Sequence, residues 1–155
     1  MSYILSDMEC AIWSVIHILC RTFNTIEYDD IKYFKCFIMS IFYMIPIQNY
    51  NYTRFALIYL HYIDIDSVKV LGKNNYNLVD WSIEFRNFMN RRFNIPTVNK
   101  KDLQHQFAFH KLYKSVWGPV LWKVIHMIAV IADITKNYVK FKAFITCLQF
   151  IIPCQ

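Results

Sequence analysis

Glycine is nearly missing from this chain, with two residues in 155, and proline occurs only four times. With so few residues suited to tight turns, long helices joined by polar loops are the expected architecture. Gly72 stands alone, so no phosphate-cradling glycine loop exists. The five cysteines, Cys10, Cys20, Cys36, Cys147 and Cys154, include no CxxC pair and no zinc-ligand cluster, and no metal is expected. No early Lys or Arg accompanies Asp7 and Glu9, a poor fit to a signal peptide. The longest strongly apolar run, Phe37 to Ile47, contains Pro46 and falls short of the roughly 20 residues of a membrane span. No span is therefore expected, and a soluble helical protein is the reading, even with a mean hydropathy of +0.23.

The net charge of +6 points first to an acidic partner. The basic residues are scattered, however, and the densest groups are the pairs Arg91-Arg92 and Lys100-Lys101. A solvated basic surface is expected, with no nucleic acid bound. What the chain has in abundance is apolar and aromatic material, 56% and 18% of residues, which is ample for a core and argues against disorder.

Apolar periodicity places the helices. Asp7 is positioned to cap a first helix to about Arg21, with Ile12, Ile16 and Leu19 on one face. Asp29 or Asp30 is positioned to cap a second through Ile31, Phe34, Phe37, Ile38 and Ile41, ending before Pro46. A third covers about Asn51 to Ile63, the stretch "IDIDSVKVLGKNNYN" reads as a loop, and a fourth runs from about Leu78 to Asn94. "NKKDLQHQFAFHKLY" reads as a short helix or connector. A further helix is expected from about Pro119, with the proline in its first turn, and another over "YVKFKAFITCLQFI", ending before Pro153.

The pattern repeats. "IWSVIH" (Ile12 to His17) corresponds to "LWKVIH" (Leu121 to His126) at an offset of 109. "FKCFI" (Phe34 to Ile38) corresponds to "FKAFI" (Phe141 to Ile145) at 107, and "IPIQ" to "IPCQ" at 107 again. In each copy the FKxFI block ends eight residues before its proline. Three ordered matches at nearly one spacing read as an internal duplication.

A Trp-X3-His helix, a second amphipathic helix and an apolar-Pro-Cys segment together resemble the Erv/ALR family of flavin-linked sulfhydryl oxidases. The family's WGxxxWxxxH pattern is matched at every marked position by "WGPVLWKVIH", Trp117 to His126, and "IIPCQ" supplies the first half of its Pro-Cys-x-x-Cys motif. In the first copy, "LVDWSIEFRNFMNRRFNIP" is similar to the family's fourth-helix pattern W-x-x-x-F-H-N-x-V-N, which grips the flavin. Trp81, Phe85, Asn87 and Asn90 match it, Arg86 replaces the His and Met89 the Val. The resemblance implies an all-α fold: a four- or five-helix bundle of Erv/ALR type over residues 7–98, a connector over 99–116, and from 117 to 155 a two-helix hairpin that repeats the first two helices. Compact members of the family occur in large DNA viruses, a source the Ile-, Asn-, Lys- and Tyr-rich composition would suit, and a cytoplasmic location is expected, the host cytoplasm or the virion for a viral protein.

The resemblance also implies a chemistry. Oxidation of protein thiols needs a thiolate to attack a disulfide and a second thiol to resolve the mixed disulfide. Two cysteines two residues apart at a helix N-terminus supply both, with the dipole lowering the thiol pKa, and FAD carries the electrons on to oxygen. Ile47 and Tyr50 stand where the first copy would have those cysteines, so that copy is expected to be a non-catalytic scaffold, and Trp13 and His17 to be packing residues. In the second copy Cys154 is the candidate catalytic thiol, and Trp117, Gly118, Trp122 and His126 are the candidate flavin contacts. The partner of Cys154 would lie at position 157, and the third and fourth helices, which supply most of the family's flavin pocket, are missing from this copy, so the 155 residues as given are not expected to bind FAD tightly or to turn over. Thiol-containing proteins are the implied substrates. Because family subunits pair through their first two helices, a homo-dimer or an intrachain pseudo-dimer is implied, with the second hairpin packed on the first two helices.

Overall fold

The computed structural model describes residues 2–22, 28–44, 50–62, 78–106, 114–149 and 151. It is helical throughout, with no strand among the described residues. Helix α1 spans Ser2–Thr22, α2 Tyr28–Tyr43, α3 Tyr50–Tyr62, α4 Leu78–Arg92, α5 Lys100–Gln106, α6 Lys114–Thr135 and α7 Tyr138–Leu148. The expected loop at 63–77 lies outside the described residues.

Local chemistry explains most boundaries. Asp29 and Asp30 sit in the first turn of α2 rather than before it. The helix ends at Tyr43, ahead of Pro46, and the Met44 N–H closes the last turn on the Ile41 carbonyl at 3.1 Å. Helix α4 carries Asp80 in its first turn and Arg91 and Arg92 in its last, the polarity that the helix dipole favours. It stops where Asn94 takes a left-handed φ of 55°, which Asn tolerates, with the Ile95 N–H bonded to the Asn90 carbonyl at 2.8 Å. Asn99 caps α5 by accepting the Asp102 N–H at 2.8 Å.

Two boundaries depart from the sequence expectation. Helix α1 begins five residues before Asp7, which therefore lies inside it rather than at its N-terminus. Helix α6 begins at Lys114, so Pro119 lies beyond the first turn, where its missing N–H does remove a helical bond. The expected boundary at residue 117 falls inside this helix.

Helix α6 packs along α1 and α7 along α2, while α4 packs on α1 and α3, and α3 also touches α2. Helices α1 and α2 thus form a middle layer between α3–α4 on one side and the α6–α7 hairpin on the other. This position explains why α1 is buried almost all round, from Ala11 through Ile12, Trp13, Val15, Ile16, Ile18, Leu19 and Cys20. At the hairpin seam Phe37 of α2 stacks on Phe144 of α7, centroids 5.3 Å apart, and both rings are fully buried. Burial of each such ring contributes on the order of 1.5–3 kcal/mol.

Candidate functional site

The face of α1 turned toward α3 and α4 carries Trp13 and His17, 3% and 4% exposed. The Trp13 indole donates to the Tyr52 hydroxyl at 2.8 Å, and its ring meets Phe85 edge-on at 4.9 Å. Phe85 is itself stacked on Tyr59, centroids 4.6 Å apart and nearly parallel. His17 has Ser82 Oγ at 2.8 Å from Nδ1 and the Arg86 guanidinium at 3.3 Å from Nε2. A guanidinium only donates. Nε2 is therefore the acceptor, Nδ1–H donates to Ser82, and the Ser82 hydroxyl donates onward to the Val79 carbonyl at 2.7 Å. Burial, reinforced by the Arg86 charge, lowers the His17 pKa to about 3. The Cys20 thiol is fully buried beside Ser82, and its pKa is pushed up by burial, which the Ser82 hydrogen bond only partly offsets. A thiol held protonated in this way is a poor nucleophile.

The α4 residues that matched the flavin-gripping pattern are committed to the protein's own structure. Trp81 and Phe85 are fully buried in the core. Asn87 forms a two-way clamp with Val98, donating to its carbonyl and accepting its N–H, each at 2.8 Å. Asn90 donates to the Pro96 carbonyl at 3.1 Å. Lys100 then pairs with Asp80 at 2.9 Å, returning the following segment to the start of α4.

The second hairpin presents the corresponding residues differently. Trp122 and His126 lie one turn apart on α6, ring centroids 5.6 Å apart, as Trp13 and His17 do at 6.1 Å. Yet Trp122 is 59% exposed and His126 is exposed as well. The buried positions of α6 include Leu121, Val124, Ile125 and Ile128, which correspond to Ile12, Val15, Ile16 and Leu19 of α1, also buried. Trp122 and His126 thus face away from that set, on a surface continuing through the exposed Val130 and Ile134.

Of the candidate residues, the structure brings Trp122 and His126 together. Gly118 is buried two residues into the matched pattern, and a Cβ built there meets nothing within 4 Å. The side chain of Trp117, and Cys154 entirely, lie outside the described residues. Two features escaped the sequence reading. Arg86 was visible as a substitution, but its bond to a histidine 69 residues earlier has no local signature. Helix α6 is long and apolar enough over Gly118–Thr135 to cross a membrane, by length and composition. Lys123 and His126 interrupt its apolar run, so uninterrupted stretches do not reveal it.

Comparison with family models, with curated proteins and with solved structures finds no match for the chain. Whether the residues suit a flavin therefore rests on their own surroundings. Those around Trp13 do not: Phe85 and Tyr52 occupy its edges, and both ring nitrogens of His17 are engaged. Trp122 and His126 do suit it as one wall, offering an open aromatic face and an imidazole able to donate or accept.

Proposed function

We propose that the chain derives from an Erv/ALR-type sulfhydryl oxidase and is built as an intrachain pseudo-dimer, in which α1–α4 are a non-catalytic scaffold and α6–α7 carry the flavin-facing wall. The observation that carries this reading is the contrast between corresponding residues. Positions 12, 15, 16 and 19 and their counterparts 121, 124, 125 and 128 are buried alike, whereas the Trp–His pair is enclosed in α1 and open on α6. Conserving the seam while one pair fills a core and the other stays exposed fits a scaffold holding a second, functional copy.

In this reading Trp122 and His126 hold FAD, with Trp117 and Gly118 at the same end of the helix. When bound, FAD accepts two electrons from a dithiol and passes them to oxygen. Trp122 would stack on the flavin, His126 would hydrogen-bond to it, and Cys154, six residues beyond α7 in sequence, would be the thiol that exchanges with protein substrates. The scaffold reading of the first unit is favoured by Ile47 and Tyr50 at the dithiol positions and by the high pKa of the buried Cys20.

The test is flavin absorbance and oxygen consumption by the purified chain supplied with FAD and a dithiol substrate. Flavin absorbance that stays with the folded chain, weakened by His126→Ala and unchanged by His17→Gln, is the expected result, with little turnover because the 155 residues hold one cysteine of the family's dithiol. A folded helical chain with neither flavin absorbance nor uptake would leave the whole molecule a scaffold or dimerisation module.

A further inference from the structure

The seam between α2 and α7 has a readable register. The Lys140 ammonium lies 5.2 Å over the Tyr43 ring, and Phe144 stacks on Phe37 at 5.3 Å. As residue numbers fall along α2 they rise along α7, so the helices run antiparallel. The same progression sets Cys36 of α2 opposite Cys147 of α7, whose pKa is raised by burial first and then by the neighbouring Cys36 thiol. Cys36 is exposed and Cys147 half-buried, and neither is in a disulfide. Both therefore sit at the rim of the seam, within reach of small reagents, on helices already held together by a buried aromatic stack. Cys20, fully buried, has no such access.

We propose that Cys36 and Cys147 form a reversible disulfide that staples the second hairpin to the first. The oxidant class is a low-molecular-weight disulfide. The exposed Cys36 thiolate attacks it, forming a mixed disulfide and releasing one small thiol. The Cys147 thiolate then attacks the Cys36 sulfur and releases the second small thiol. Two protein thiols become one disulfide, the oxidant's disulfide becomes two thiols, and two electrons pass to it. The bond ties together residues more than a hundred positions apart, so it restricts the unfolded chain strongly. Its consequence is a bundle whose outer hairpin is covalently held under oxidising conditions and held by packing alone under reducing ones. The proposal does not depend on the flavin reading, since neither cysteine belongs to the Trp122–His126 surface.

The experiment uses the full chain, reduced and then incubated with glutathione disulfide. Remaining thiols are blocked, and peptides are mapped without reduction. A Cys36–Cys147 linked peptide is expected, with a rise in Tm of about 5–15 °C that a reductant reverses. Cys36→Ser and Cys147→Ser each remove both signals, and Cys10→Ser removes neither. Cys36 is exposed, so its serine and alanine variants keep the fold and carry the test if Cys147→Ser does not. Recovery of Cys36 and Cys147 as separately blocked or glutathione-capped thiols in a folded chain would overturn the proposal. So would linkage of either to another cysteine, or a Tm rise that survives Cys36→Ala.

Discussion

His17 is held between Ser82 and Arg86, and its pKa falls from 6.5 to about 3. Between those values the unfolded chain binds a proton that the folded chain refuses. The stability His17 contributes is therefore complete above pH 6.5 and is lost as pH falls toward 3. The slope is at most about 1.4 kcal/mol per pH unit. Urea unfolding across that window should give this slope, and His17→Gln should flatten it. Two backbone positions offer opposite tests. Gly118 is helical with free space at its Cβ, so Gly118→Ala should stabilise by about 0.5–1 kcal/mol. Lys136 adopts a left-handed φ of 58° at the α6–α7 turn, so Lys136→Gly should also stabilise, by a similar amount or less. Both are read from the denaturant midpoint. Sequence spacing was enough to mark Trp13 and His17 as packing residues, because the dithiol that would give them a redox role is absent. What surrounds His17 was not legible, since Ser82 and Arg86 reach it from a helix 65 to 69 residues later.

Helices were legible wherever apolar periodicity met a strong stop. Pro46 and Pro96 each ended a helix close to where the pattern did. Starts were less so: Asp7 and Pro119 both carry initiation signals, yet each lies inside a longer helix whose upstream turns were not marked by a cap. The pairing of α2 with α7 rests chiefly on Phe37 and Phe144, and Phe37→Ala or Phe144→Ala should each cost about 3–5 kcal/mol. Because the rings touch, the double variant should cost less than the sum by about 0.5–1.5 kcal/mol. Strict additivity in a double-mutant cycle would mean the rings do not meet.

At the scale of the molecule, α1 and α2 are covered on both sides, whereas α6 and α7 are covered on one. The exposed apolar side chains of these two helices include Trp122, Val130 and Ile134 of α6 and Val139 and Ile145 of α7. The all-helical class followed from composition, whereas the packing of the trailing hairpin on α1 and α2 was an expectation that came from the family resemblance. Which face of that hairpin stays open did not, because corresponding residues of nearly the same type take opposite environments once α3 and α4 cover one copy. The central claim is that the open Trp122–His126 face is the flavin wall and the enclosed Trp13–His17 face is not. Titration of the full chain with FAD, followed by flavin and tryptophan fluorescence, tests it most directly. The account predicts saturable binding, weakened at least tenfold by Trp122→Ala and by His126→Ala and unchanged by His17→Gln, about 1.4 kcal/mol or more per substitution. FAD that fails to bind the folded chain, or that binds the Trp122→Ala variant as well as the unaltered protein, would contradict it.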